Sequence, residues 1–453
     1  MSKNINELFN ERLGRYQAVM ALEPTDRVSI APGSNDFAGT YGGRPYQEAI
    51  YKQPNQWCDS VEAFMKDFPE VDVVRPLRIW GPIYDVLDCT LYKLSGRDLS
   101  PDIEYQFVEK ENMKADEYDA FINDPLMFTV ERYLPRVFAE TQKGSGRSHV
   151  AYLKAGIAYM LNREYSKQKG DFAEHVLGTP IAMKGALNAP FDFVGNAFRG
   201  LNGILMDTFR QPDKVTEACE VVVPLMVKLA LAGADPQRRY PIQAPLHKGI
   251  FLSPKQFERF YWPTLKKCLN MLIDQGYTVR ALLEGNWEPY WHHFLELPKG
   301  KVVCDIDDQA DIFKAKQEIG HHQCIAGGLP SSMLILGTPE DVKQRVKLLC
   351  QTVGKDGGYI INGGCRMPRG TKPENFRALV DAVMEYGRYS ETCKPTPKKA
   401  EFSPLIPGAL INILSWEAKK AEIGGVLGDE DLIRKPWETI DQIALGFILS
   451  MTM

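Results

Sequence analysis

Thr278-Val279-Arg280-Ala281-Leu282-Leu283-Glu284 is a short apolar run that ends on a carboxylate. Four runs of the same kind surround it: Tyr240-Pro241-Ile242-Gln243-Ala244-Pro245-Leu246-His247, Lys301-Val302-Val303-Cys304-Asp305, Gln323-Cys324-Ile325-Ala326-Gly327-Gly328 and Gly358-Tyr359-Ile360-Ile361-Asn362-Gly363-Gly364-Cys365. Each is bounded by Gly, Pro or polar residues, the pattern of a short buried strand. Stretches of helical pattern separate them. Strand and helix in alternation, with chemistry-bearing residues at the strand ends, predict an α/β fold of the (β/α) barrel type with its site at the C-terminal mouth.

Working outward, residues 4–22 read as a helix with Asn6 as its cap, stopped by Pro24. Val28 to Pro32 reads as a first strand. The loop after it, residues 33–39, would lie at the mouth and makes Asp36 a candidate. Residues 70–115 alternate short strands with Pro/Gly turns and are expected to cover one side of the mouth. Leu187 to Gly195 reads as a strand end and active-site loop, which brings in Asp192. Ser253-Pro254 and Thr338-Pro339 each set a capping hydroxyl before proline at the first helical position. Residues 391–403 are rich in Lys, Pro and Thr and read as a linker; 404–453 read as a helical extension. The expected division is therefore a barrel over 1–390 and a linker with extension over 391–453.

The 453 residues are 44% hydrophobic and 25% charged, with net charge −4. That balance lacks the basic surplus of a nucleic-acid binder. No run reaches the roughly 18–20 apolar residues of a membrane helix, and the polar start does not read as a secretory signal. Nine cysteines without a CxxC pair argue against a disulfide framework or zinc finger and point to a reducing cytoplasm.

The nucleotide and hydrolase signatures GxxxxGK[ST], GxGxxG after a strand, HExxH and GxSxG are absent. What remains at the strand ends is His247, Glu284, Asp305, Asp307, Cys324 and Cys365. Zinc takes imidazole, carboxylate and thiolate, and a catalytic zinc keeps an open position. Structural roles compete with that reading: a hydrogen-bonded His247, a salt-bridged Glu284, a helix-capping Asp305, a buried Cys365. Cys324 reads as core, His292-His293 and His321-His322 as surface pairs.

At these residues the chain resembles the uroporphyrinogen decarboxylase superfamily. The likeness is carried by Glu11-Arg12 with Glu23-Pro24-Thr25-Asp26-Arg27-Val28, by Phe260-Tyr261-Trp262-Pro263-Thr264-Leu265, by Cys324 to Ser332, by Gly337-Thr338-Pro339-Glu340-Asp341-Val342, by Gly354 to Ile360 and by Lys372-Pro373-Glu374-Asn375. The resemblance implies a (β/α)8 barrel, here with N-terminal and mouth-covering insertions and a C-terminal helical extension. Decarboxylases of the family carry an arginine-rich stretch after the first strand, whereas residues 33–39 hold no arginine. Methyltransferases of the coenzyme M kind hold zinc on an HxC motif and a later Cys; Leu282 and Glu284 occupy the HxC positions and Cys365 the later one. The chain looks more like the corrinoid-dependent branch that demethylates methoxylated aromatics. That likeness implies a zinc held by Glu284, Asp305 and Cys365 or His247, with His247 alternatively a proton donor and Asp36 and Asp192 further mouth residues. It implies as partners a corrinoid (cobalamin) protein and a methylated, aromatic small molecule, and it offers the extension as a surface for a homodimer. Two readings compete with it: a metal-free decarboxylase or lyase of a small aromatic acid on the same barrel, and a non-catalytic barrel that only binds a corrinoid protein or ligand.

Overall fold

The computed structural model describes residues 4–33, 36–76, 79–390, 392–393, 395–398 and 415–452. All five runs of the ladder form strands, in register with one another. These are β4 (Ile242–Leu246), β5 (Val279–Leu283), β6 (Val302–Ile306), β7 (Cys324–Gly328) and β8 (Tyr359–Asn362), following β1 (Ser29–Ile30) and the hairpin strands β2 (Tyr92–Lys93) and β3 (Gln106–Phe107). The parallel sheet runs in the order β1-β8-β7-β6-β5-β4.

Two further segments close the ring. Asp72 N–H donates to the Ile30 carbonyl at 2.9 Å, Val74 N–H to Pro180 at 3.0 Å and Ala182 N–H to Val74 at 2.8 Å. Beyond them Lys184 N–H reaches Pro241 at 3.0 Å and Leu187 N–H reaches Gln243 at 2.7 Å. Residues 71–74 and 181–187 are thus the second and third staves, and eight staves make the (β/α)8 barrel. The sequence pattern of residues 148–240 is mostly helical, interrupted at 187–195, and the third stave sits inside that stretch. Its few paired residues, Ile181 and Ala186, make isolated bridges rather than a long ladder, so its sequence carries little strand signal.

The helices start where side chains satisfy their first N–H groups. The Ser253 and Thr338 hydroxyls accept from the backbone N–H of Gln256 and Asp341, and the Gln256 and Asp341 side chains accept in return from the cap N–H. The first helix, Ile5–Met20, is capped by Asn4 rather than by Asn6: the Asn4 side chain accepts from Asn6 N–H, and Glu7 completes the box.

Buried ion pairs stiffen the barrel. Asp72, fully buried, takes Arg15 at 2.5 Å, Arg27 at 2.8 Å and the Ser29 hydroxyl at 2.9 Å. Burial alone would raise the Asp72 carboxyl; Arg27 and Arg15 more than offset it and hold it below the usual range. Higher in the barrel, Arg280 and Asp305 form a second pair with both side chains at 0% exposure.

Of the extension, helices Trp416–Glu422 and Asp431–Ser450 are described, while residues 399–414 lie outside the described residues. The second helix buries Leu445 and Leu449 and sets Phe447 5.7 Å from Tyr159 of helix Ser145–His175. Among the described residues, no helix is long and apolar enough to cross a membrane.

Candidate active site

Strand register decides which side chains reach the mouth. Gln243 pairs with Arg280, Pro245 with Leu282 and Leu246 with Leu283; Arg280 pairs with Val303, Leu282 with Asp305 and Leu283 with Ile306. With side chains alternating between faces, the inward residues stack in layers: Gln243, Arg280 and Val303, then Pro245, Leu282 and Asp305. The residues just past the strands, His247, Glu284 and Asp307, form the rim layer.

His247 Nδ1 lies 2.9 Å from Glu284 Oε2. Both groups line a cavity of about 630 Å³ at the mouth, together with Asp36, Asp307, Asp308 and Cys365. The His247 side chain is 35% exposed and that of Glu284 44%, so both meet the cavity. Burial alone would lower the His247 imidazole; the hydrogen bond and charge of Glu284, helped by Asp192, outweigh it and raise it above 6.5. Burial likewise pushes the Asp307 carboxyl up.

Asp192 does not line the cavity. It is fully buried on the short helix Pro190–Phe193 and accepts from His247 N–H at 2.9 Å, Lys248 N–H at 2.8 Å and the Tyr261 hydroxyl at 2.7 Å. Burial raises its carboxyl. Asp192 therefore fixes the backbone at the end of β4 and positions His247 rather than meeting a substrate.

Asp305, expected as a metal ligand, is placed elsewhere. Its Oδ2 takes Arg280 Nε at 2.5 Å, and its Oδ1 takes Arg280 Nη2 at 3.0 Å and Asn362 Nδ2 at 3.3 Å. It sits one inward layer below the rim, fully buried, with both oxygens engaged. The carboxylate that reaches the rim on this strand is Asp307. Cys365 does line the cavity, but its thiol points to the Asp305 carbonyl at 3.4 Å, and burial raises it well above the usual thiol range. Asp36 also lines the cavity, bound to Arg366, whose other end holds Glu104. Cys324 is core. His293 is buried, stacked 5.3 Å from Phe257 and bonded to Glu296, and is not a surface residue.

The zinc expectation asks for three convergent donors. His247 and Glu284 supply two; Asp305 is committed to Arg280 and Cys365 is turned away. Among the described residues, no three His, Cys, Asp or Glu side chains are grouped to hold a metal ion. The donors present do not fit a zinc site in this arrangement.

Aromatic side chains line part of the same cavity. The β2–β3 hairpin brings Tyr92, Tyr105 and Phe107 to the cavity, and Tyr46 joins them at 6.4 Å from Tyr105. Tyr105 and Phe107 lie 5.9 and 5.5 Å from Tyr92. Sequence reading placed this region over the mouth but singled out none of its aromatics. It also passed over Arg75, Gln243 and Arg366. Arg366 directly follows Cys365, and that adjacency was the available signal; Arg75 directly follows the stave 71–74, in a stretch whose pattern shows short strands and turns but marks no site residue.

Residues 172–386 match the family model described as uroporphyrinogen decarboxylase (URO-D). Among similar proteins, the uroporphyrinogen decarboxylase of Pseudoalteromonas translucida is 27% identical over 140 residues, 30% of this chain and 39% of that protein. That of Vesicomyosocius okutanii subsp. Calyptogena okutanii is 33% identical over 88 residues, 19% and 25% of the two chains. The chain thus matches well under half the length of these relatives. A methyltransferase from Methanosarcina mazei has a similar fold, with TM-score 0.55 and 16% identity over 82% of this chain and 98% of that one. The span that resembles the uroporphyrinogen decarboxylase family, residues 172–386, is the part of the chain that carries the strand ladder from β4 to β8.

Proposed function

We propose that the protein is a methyltransferase that moves a methyl group from a methoxylated aromatic compound, or a similar methylated small molecule, to the Co(I) of a corrinoid carried by a separate protein. The observation that carries this reading is the His247–Glu284 dyad, set at the rim of a cavity that Tyr46, Tyr92, Tyr105 and Phe107 also line. The charges at the mouth support it against a porphyrinogen. Asp36, Glu284, Asp307 and Asp308 line the cavity against Arg75 and Arg366, and a substrate bearing many carboxylates would meet mostly its own sign.

The corrinoid would supply the electron pair that takes the methyl carbon. The chain's own task is to hold the ether and to receive the leaving oxygen. As the carbon–oxygen bond breaks, its electron pair stays on the oxygen. The raised imidazole of His247, with Glu284 on Nδ1, presents a proton from Nε2 to that oxygen. Glu284 fixes the tautomer and steadies the imidazolium, and Asp192 holds the backbone that carries it. The aromatic wall packs the ring and sheds water. No step is assigned to zinc.

The test is incubation with a Co(I) corrinoid and a panel of methoxylated aromatics, followed at the Co(I) absorbance. The wild type consumes the Co(I) signal with at least one member, and Glu284→Gln is slower by about 10²- to 10⁴-fold, the usual worth of general acid catalysis. An inert wild type across the panel, or a Glu284→Gln variant as fast as wild type, would refute the reading. Zinc content of protein purified without chelator separates the devices. About one zinc per chain, lost in Glu284→Gln, would mean that His247, Glu284 and Cys365 close on a metal.

A further inference from the structure

The hairpin of β2 and β3 is tied to both sides of the mouth. On the β8 side, Glu104 accepts from Arg366, which directly follows Cys365, and Asp102 accepts from Arg369 at 2.8 Å. On the β4 side, Glu109 Oε1 accepts from Lys248 Nζ at 2.7 Å and from Leu201 N–H at 2.9 Å. Lys248 directly follows His247. Strands β4 and β8 stand opposite each other in the ring. Strands β7, β6 and β5 separate them one way, and β1 with the staves 71–74 and 181–187 the other.

The β4 tie is built into the barrel. Lys248 is only 5% exposed. Its stem passes Gly195, where a Cβ would stand 2.7 Å from Lys248 Cδ and Cε, so only glycine leaves room for it. Lys248 N–H donates to Asp192 Oδ1 at 2.8 Å, and His247 N–H donates to Oδ2 of the same carboxylate at 2.9 Å. One corner of the chain thus carries both the His247 ring and the ammonium that holds Glu109. A buried ammonium needs a charged partner, and among the described residues Glu109 is the carboxylate paired with it.

We infer that Glu109 and Lys248 are positioning residues, which hold the hairpin aromatics Tyr92, Tyr105 and Phe107 at a set distance from His247. The inference rests on the proposed function for the reaction it serves, and not for the tie itself. Glu109 and Lys248 lie 139 residues apart in the chain. Phe107 stands two residues before one of them and His247 one residue before the other, so the ion pair is a short path between ring-holding side chain and proton donor. With the tie lost, an aromatic ring still meets the hairpin, but its ether oxygen no longer meets His247. A misplacement of about 1 Å costs about 10²-fold in rate. The loss therefore falls on kcat more than on KM.

Amide hydrogen exchange on the ligand-free protein, the His247 ring resonance by NMR and steady-state kinetics test this, with Glu109→Gln, Lys248→Met and the double variant. Glu109→Gln speeds exchange at the hairpin amides about tenfold, between the worth of an exposed pair and that of a buried one, and leaves β5 to β8 as they are. It shifts the His247 resonance and lowers kcat about 10- to 100-fold, with KM within about threefold. The double variant is no slower than the slower single one, because both act through one bond. Hairpin exchange and a His247 resonance unmoved in both single variants would overturn the inference. So would losses in kcat that add in the double variant. Exchange raised throughout the barrel with kcat per folded molecule unchanged would make the pair merely structural, and would overturn it too. A wild type inert across the panel of methoxylated aromatics would remove the methyltransferase reading, while hairpin exchange and the His247 resonance would still decide the tie.

Discussion

Replacing Asp305 by Ala separates a structural carboxylate from a catalytic one. Arg280 is fully buried and spends its donors on Asp305 at 2.5 and 3.0 Å, on the Tyr16 hydroxyl at 3.1 Å and on the Ala31 carbonyl at 3.0 Å. Removing the carboxylate strands a guanidinium at 0% exposure with only neutral acceptors. It also takes an acceptor from Asn362. Breaking one side of a buried ion pair costs about 3–5 kcal/mol, most of it the uncompensated charge. Replacing both partners by apolar groups of similar volume is far milder. The expected order of stability is therefore wild type close to Arg280→Met/Asp305→Leu, with Asp305→Ala well below both. Guanidinium unfolding, followed by circular dichroism and tryptophan fluorescence, measures it. An Asp305→Ala protein that unfolds within about 0.5 kcal/mol of wild type, the usual span of a surface change, and loses bound zinc would refute the argument and restore Asp305 as a ligand.

Three further outcomes are expected. Because Glu284 outweighs burial and raises the His247 imidazole above its ordinary value, the acid form persists to higher pH than in a free imidazole and is lost as pH rises through the raised value. Turnover should thus hold at low pH and fall on the alkaline side, and Glu284→Gln should move the fall to lower pH; a profile unmoved by Glu284→Gln would deny the coupling. The dyad's contribution to stability has the same sign, present below 6.5 and lost as pH rises, and stays under about 1 kcal/mol because both side chains are a third or more exposed. Asp192→Asn leaves one oxygen where two accept from His247 N–H, Lys248 N–H and Tyr261. It should cost about 1–3 kcal/mol of stability and up to about 10²-fold in kcat through a displaced His247, measured by unfolding and steady-state rates; unchanged kcat would remove the positioning role.

The ladder was legible because parallel strands covered on both faces read as apolar runs between helices. All five C-terminal runs are strands, and His247, Glu284 and Cys365 do meet at one cavity. The second and third staves were less legible. Asp72 interrupts one and Arg75 follows it, and the other holds single bridges at Ile181 and Ala186, so neither presents a long apolar run. The helix caps at Ser253 and Thr338 were readable because a cap is a local bond between residues three apart. The Arg366–Glu104 contact joins residues 262 apart in sequence, and no local pattern marks it.

The sequence by itself determined the alternation of strand and helix, the chemistry available at the strand ends, and an acidic balance at odds with nucleic-acid binding. Only the tertiary structure decided which carboxylate faces the opening. Asp305 and Asp307 look alike in the chain, two residues apart at a strand end. Both point inward, but a rise of about 3.3 Å per residue puts one a layer below the other. Lateral pairing of β6 with β5 sets Asp305 opposite Leu282, deep enough for Arg280 to take both its oxygens, and lifts Asp307 to the rim beside Glu284 and His247. Register is a property of neighbouring strands, and a single chain read in order does not contain it.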